Sequence, residues 1–283
     1  MKILIKRILG HFGFTILRQA TLDMYKFDVI GALCRLLTQN VLSEKEKRFL
    51  RLASSQLICC NGKLYSQLGQ DLLALSMAPE MQPGFYIEIG GGDPERSSNS
   101  FLLQSRFNWR GVIVEPNPEL AQLIKLKRSG PYAPLVIEKA ISKQTGYELF
   151  LKAGLLGTLS RYIDGDEHSK KRKLNRSKES VIKVETISPD DFVSGYLPVD
   201  CTVDFLSIDT EGAEWEIIKS WPFKSIRPKV MVIEHNNRNW YQDLVDFCIS
   251  NGYIHVLKNI SKFDAWFILD ETYVNKVENT PSE

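Results

Sequence analysis

Phe85-Tyr-Ile-Glu-Ile-Gly-Gly-Gly-Asp93 begins as an apolar, aromatic and β-branched run, carries an acid near its end, and then breaks into glycines. Such a run reads as a buried strand of a parallel sheet, and the glycines read as a loop through which backbone can approach a ligand closely. Gly111-Val-Ile-Val-Glu-Pro-Asn-Pro118 repeats the theme, with the acid Glu115 where the strand should end. An acid in that place can accept hydrogen bonds from both hydroxyls of a ribose. Together the two stretches point to a nucleoside-containing ligand bound at the carboxyl edge of a parallel sheet.

The rest of the chain follows the same rhythm. Apolar stretches that read as strands occur at 84–89, 111–115, 134–138, 203–208, 229–234, 253–258 and 264–269. Amphipathic stretches that read as helices lie around 66–78, 97–107, 117–129, 188–194, 212–220 and 238–250. This alternation predicts an α/β domain over residues 63–283. Only Asn259-Ile-Ser-Lys-Phe263 separates the last two strands, too little for a helical crossover, so they should pair antiparallel. Residues 1–62 read as a separate helical segment, with Leu33, Leu36 and Leu37 at helical spacing and Ser43-Glu-Lys-Glu46 as a capping box. Between candidate strands at 146–151 and 181–185, residues 153–180 look irregular and include the basic run Lys170-Lys-Arg-Lys-Leu-Asn-Arg-Ser-Lys178. That run is either a solvated loop or a lid for an anionic acceptor.

Composition excludes several classes. The formal net charge of the 283 residues is +2, too small for a general nucleic-acid-binding field. Cys34, Cys59, Cys60, Cys201 and Cys248 form neither a CxxC pair nor a Cys/His ligand spacing, which argues against a disulfide framework or a zinc site. The first eighteen residues are apolar but interrupted by Lys6, Arg7 and His11. They match neither a spanning helix nor a cleaved signal. They suit a basic amphipathic helix that packs on its own domain, joins a homodimer, or rests on the inner face of an anionic membrane, in an otherwise cytoplasmic protein.

Five motifs then occur in order: Ser66-Gln-Leu-Gly-Gln-Asp71, Ile87-Glu-Ile-Gly-Gly-Gly-Asp93, Ser98-Asn-Ser100, Val114-Glu-Pro-Asn-Pro118 and Asp204-Phe-Leu-Ser-Ile-Asp-Thr-Glu-Gly-Ala-Glu214. This succession, over roughly residues 65 to 235, closely resembles the FkbM family of methyltransferases. The resemblance implies a Rossmann-like class I methyltransferase fold, with a mostly parallel seven-stranded sheet and an antiparallel C-terminal strand. It implies S-adenosyl-L-methionine as methyl donor and O-methylation of a hydroxyl on a saccharide, glycan, glycolipid-like or small-molecule acceptor. The reversed terminal hairpin speaks against a NAD-dependent oxidoreductase. Pro94 stands near a position where the family commonly has a further glycine, so the loop past Asp93 should differ locally. It is also the only support for a non-catalytic nucleotide-binding module.

On this resemblance, Glu88, Gly90, Gly92, Asp93, Ser98, Asn99, Glu115, Lys139, Ala140 and Asp209 are the cofactor-binding candidates. Glu88 would favour the ammonium of the methionine end, Glu115 the ribose, and the Lys139-Ala140 backbone the adenine. An alkyl hydroxyl must lose its proton, so a base is needed. His235, Asp209 and Glu211 are the catalytic candidates, with His235 favoured by its ordinary pKa. No metal is required by this reading. A metal-assisted alternative, acting on a secondary-metabolite hydroxyl, would place Mg2+ on Asp209, Glu234 and Asn236. Glu211 and Glu214 could instead cap the following helix. Trp215, Trp221 and Trp240 are either core residues or a sugar-binding face.

Overall fold

The computed structural model describes residues 64–78, 83–164 and 180–275, together with Gln56, Ser169 and Arg172. The N-terminal helical segment expected at 1–62, apart from Gln56, and most of the basic run lie outside the described residues.

A seven-stranded sheet organises the domain. In chain order its strands are β1 (Phe85–Ile89), β2 (Arg110–Val114), β3 (Leu135–Ile137), β8 (Phe205–Ile208), β9 (Val230–Glu234), β10 (Tyr253–Val256) and β11 (Asp264–Leu269). Across the sheet they run β3-β2-β1-β8-β9-β11-β10. The pairs β1–β2, β1–β8, β2–β3 and β8–β9 are parallel, while β11 is antiparallel to both β9 and β10. The chain therefore steps outward from β1 in one direction through β2 and β3, then returns to β8 on its other side. A crevice opens at the carboxyl ends of strands where the order reverses in this way.

Alternating side chains feed two cores. Tyr86, Ile113, Phe205, Val232 and Trp266 point to one face, under helices α1 (Gln70–Met77), α2 (Phe101–Phe107) and α3 (Pro118–Lys127). Ile87, Val112, Leu206, Met231 and Phe267 point to the other, under α4 (Pro189–Tyr196), α5 (Glu214–Lys219) and α6 (Tyr241–Ser250). Burial on both faces explains why these strands read as continuous apolar runs rather than alternating ones. The helices begin where the sequence supplies caps. Asn117 accepts from the Glu119 N–H and Ser188 from the Asp191 N–H, each ahead of a proline in the first turn. Short helices α7 (Lys258–Ser261) and α8 (Asp270–Tyr273) flank the last strand.

The irregular region expected at 153–180 is partly regular. A second sheet, ordered β4-β7-β5-β6, is built from β4 (Ala140–Ile141), β5 (Gly146–Leu151), β6 (Thr158–Leu159) and β7 (Val181–Ile187), with a 3-10 turn at Ser160–Tyr162. β6 escaped the sequence because two residues carry no periodicity; pairing of Phe150 with Leu159 and Leu151 with Thr158 defines it. Ala140, Phe150, Leu159 and Val184 form a small core of their own beside the main sheet. Trp221 is buried, and Trp215 and Trp240 pack partly buried against the main core.

Candidate functional site

At the carboxyl ends of β1, β2, β8 and β9 lies a cavity of about 330 Å³. The glycine loop after β1 forms its floor. Gly90 has φ +91°, and a Cβ there would stand 1.7 Å from the Asp209 carbonyl oxygen, so the residue is glycine because β8 crosses it at contact distance. Gly92, at φ +52°, faces the cavity and donates its N–H to Glu115 Oε2 at 2.9 Å. The other Glu115 oxygen accepts from the Asn117 N–H at 2.8 Å. Burial pushes the Glu115 carboxyl up to about 7, against the pull of those two backbone donors. The carboxylate is held rigidly, with lone pairs remaining for a ligand.

The opposite end of the cavity is acidic. Oxygens of Asp209, Glu211 and Glu234 lie within 4.8 Å of one another. Burial, followed by the charges of neighbouring acids, raises Asp209 and Glu234 well above the carboxylate range, and the two side chains are hydrogen-bonded to each other. Two carboxyl groups can share that bond only if one keeps a proton. Asp264 stands behind them, accepts from Gln70 Nε2 at 2.7 Å, and is raised to about 7 by burial. Glu211, in the left-handed region at φ +62°, pairs with the buried Arg172 guanidinium. Neither Glu211 nor Glu214 caps α5, which has no side-chain cap; Glu214 Oε1 instead accepts from the N–H groups of Thr210 and Gly212 in the preceding loop at 2.8 and 2.9 Å, and from the Thr210 hydroxyl.

Of the residues expected to bind or act, Gly90, Gly92, Asp93, Glu115, Lys139, Ala140, Asp209 and Glu211 line this cavity. Asp93 Oδ1 accepts from the N–H groups of Glu95 and Arg96, closing a turn over Pro94. Pro94 occupies a turn position where its fixed φ suits and no N–H is needed, so the proline reshapes the loop without opening it. Lys139 is tied to Glu185 at 2.6 Å.

Three expected contacts sit elsewhere. Glu88 points to the face under α1 and α2, not into the cavity. Its carboxylate accepts from the Asn99 N–H at 2.8 Å and from the hydroxyls of Ser98 and Ser100, and it faces Arg128 Nη1 at 3.4 Å. Ser98 and Asn99 are thereby part of the wall behind the loop; Asn99 Nδ2 donates to Ser207 Oγ at 2.9 Å. Arg128 also donates to Gln104 Oε1 at 2.6 Å, to Ser100 Oγ at 3.0 Å and to the Tyr86 hydroxyl at 3.0 Å, which satisfies a fully buried guanidinium.

His235 is likewise off the wall. Strand alternation turns Glu234 toward the cavity and His235 into the core, stacked on Tyr241 with ring centroids 4.0 Å apart. Its Nδ1 accepts from the Asn237 N–H at 3.0 Å, and burial lowers its pKa to about 4. A ring held this way has no lone pair aimed at an acceptor hydroxyl. Asn236, the next residue, does reach the cavity.

Other lining residues carried no motif. Phe150, Leu155, Leu156 and Leu159 from the second sheet and its connection form an apolar roof. The only trace in the sequence is Gly154-Leu-Leu-Gly157, two leucines set between hinge-like glycines. Ser97 also lines the cavity, and its buried Oγ has no partner. Arg128 and Arg172 were invisible because each acts through a partner distant in sequence.

A family model described as the methyltransferase FkbM domain matches residues 88–266. No curated protein matches the chain. Among solved structures, a crystal structure of methyltransferase FkbM from Methylobacillus flagellatus KT is similar at 14% sequence identity and a TM-score of 0.43, covering 84% of this chain. The chain spans 58% of the length of that protein.

Proposed function

This chain belongs to the FkbM methyltransferase family, and from that footing we propose that it is an S-adenosyl-L-methionine-dependent O-methyltransferase of class I, Rossmann-like architecture, acting on a hydroxyl of a saccharide or glycan. The observation that carries the reading is a single cavity with a fixed carboxylate for a ribose at one end, Glu115, and a proton-sharing carboxyl pair at the other, Asp209 with Glu234.

The residues present fit the cofactor. Glu115 suits the ribose hydroxyls, Ala140 and Ile141 with Phe150 and Leu159 offer an apolar slot for the adenine, and the acidic end suits the ammonium and sulfonium charges. S-adenosyl-L-methionine supplies, when bound, a methyl group already activated on sulfur. The chain must then align the acceptor and remove its proton. The Asp209–Glu234 pair is placed to take that proton, and burial gives it the raised basicity that the task needs. Gln67, Ser97 and Asn236 bring amide and hydroxyl groups to the same wall, a polar surface matched to the hydroxyls of a saccharide.

A second reading, a divalent cation such as Mg2+ at the acid cluster, draws on the spacing of Asp209, Glu211 and Glu234. It is weakened by Arg172 on Glu211 and by the proton between Asp209 and Glu234, which already put positive charge there.

Calorimetry with S-adenosyl-L-methionine, followed by transfer of its labelled methyl group to saccharide extracts with and without chelator, tests the proposal. We expect saturable binding and chelator-resistant labelling. Absence of binding would sink the cofactor assignment, and labelling lost with chelator and restored by Mg2+ would install the second reading.

A further inference from the structure

Arg172 lies in the basic run whose sequence suggested either a solvated loop or a lid, yet its side chain is fully buried. Its Nε donates to the Leu156 carbonyl at 3.0 Å, and its guanidinium pairs with the Glu211 carboxylate. Leu156 and Glu211 both line the cavity, and Arg172 does not. One buried cation thus fastens the apolar roof to the acidic end from behind. The Glu211 backbone is fixed as well, because its carbonyl accepts from Thr158 Oγ1 at 3.1 Å and from Arg238 Nη2 at 3.2 Å.

We propose that Arg172 is a positioning residue whose buried charge sets how strongly the cavity prefers a cationic sulfonium over the neutral thioether that remains after methyl transfer. The inference rests on the function proposed above. Asp209, Glu211 and Glu234 face the cavity at this end, with Glu214 and Asp264 behind them. Without compensation such a cluster would hold a sulfonium tightly in the ground state. The positive charge on sulfur fades as the methyl group leaves, so attraction made before the transition state and lost in it raises the barrier. A guanidinium on Glu211 weakens that attraction while keeping the carboxylate in place, and a buried pair of this kind is little screened by solvent.

The test is the ratio of dissociation constants, S-adenosylhomocysteine over S-adenosylmethionine, measured by calorimetry for the unaltered chain, Arg172→Gln, Arg172→Lys and Glu211→Gln. Removing the cation in Arg172→Gln should raise the ratio roughly tenfold. Arg172→Lys, which keeps the charge, should bring it back to within about twofold of the unaltered chain. Glu211→Gln, which leaves Arg172 without its counter-charge, should lower the ratio and decides the matter if Arg172→Gln does not fold. Equal shifts for both ligands in Arg172→Gln, no rescue by lysine, or an unmoved ratio in Glu211→Gln would each overturn the inference while leaving the methyltransferase reading intact. Failure of the unaltered chain to bind either ligand would overturn both.

Discussion

Glu88 and Asp209 are acids at the ends of neighbouring parallel strands, each followed within three residues by glycine, and the fold gives them opposite work. Ile89 of β1 stands level with Ile208 of β8; Glu88 falls one residue before that line and Asp209 one residue after it. Both acids therefore belong to one side of the sheet, and what separates them is position along it, Glu88 within β1 and Asp209 past the end of β8. Glu88 turns under α1 and α2, where Arg128, Ser98, Ser100 and the Asn99 N–H consume its carboxylate. Asp209 emerges past the sheet edge into the cavity, where it meets Glu234 and keeps a raised proton affinity. An acid near the end of a strand is therefore enclosed by the scaffold or open to the cavity according to whether it falls within the paired residues or beyond them.

The largest effect that could break this contrast lies on the scaffold side. Arg128→Met leaves the Glu88 carboxylate buried without its cation, and it should lower the unfolding free energy by about 3 to 5 kcal/mol. Urea denaturation measures this, and a loss under about 1 kcal/mol would show that Glu88 is not held by the pair. On the chemical side, Asp209→Asn should cost about a hundredfold or more in turnover and leave stability nearly unchanged. The sign follows from the raised pKa: the folded protein already favours the uncharged form at this position, so a neutral isostere forfeits little. Loss of turnover with wild-type denaturation midpoints is the expected pair of results.

Glu115 sharpens the comparison as a third acid, one that faces the cavity but is held by the N–H groups of Gly92 and Asn117. Glu115→Gln should weaken adenosine binding about tenfold. Its carboxyl is raised to about 7, and only the ionised form accepts from both ribose hydroxyls. Adenosine affinity should therefore be full above that pH and fall as pH drops through it; a flat calorimetric profile between about pH 5.5 and 8.5 would remove Glu115 from the site. The smallest effect belongs to His235. His235→Phe keeps the stack on Tyr241 and loses the hydrogen bond to Asn237, so stability should fall by about 1 kcal/mol and turnover by less than about threefold. A hundredfold loss in turnover would return the histidine to the catalytic account.

Much of the main fold was legible because its signals are local. Phe85–Ile89 and Phe205–Ile208 are apolar apart from Glu88 and Ser207, as suits strands covered on both faces. Asn117-Pro118 and Ser188-Pro189 announce helix starts with their own side chains. The short Asn259–Phe263 connection reverses the last strand. The second sheet was harder, since β4 and β6 are two residues each and exist only through their partners. The site divided along the same line. Glu115 and Asp209 were found from their place after a strand, whereas the orientation of Glu88 and His235 needed the register.

What the amino-acid order settled about this protein is the strands of the main sheet with their covering helices, the glycine loop and the family, since these rest on propensity, burial and spacing along the chain. The folded arrangement settled which acids face the cavity, which are spent on Arg128 and Arg172, and that Asp209 and Glu234 meet with raised proton affinity. Those properties depend on how far each acid stands past the last strand pair, on partners 39 and 40 residues away in sequence, and on a desolvation that only packing imposes.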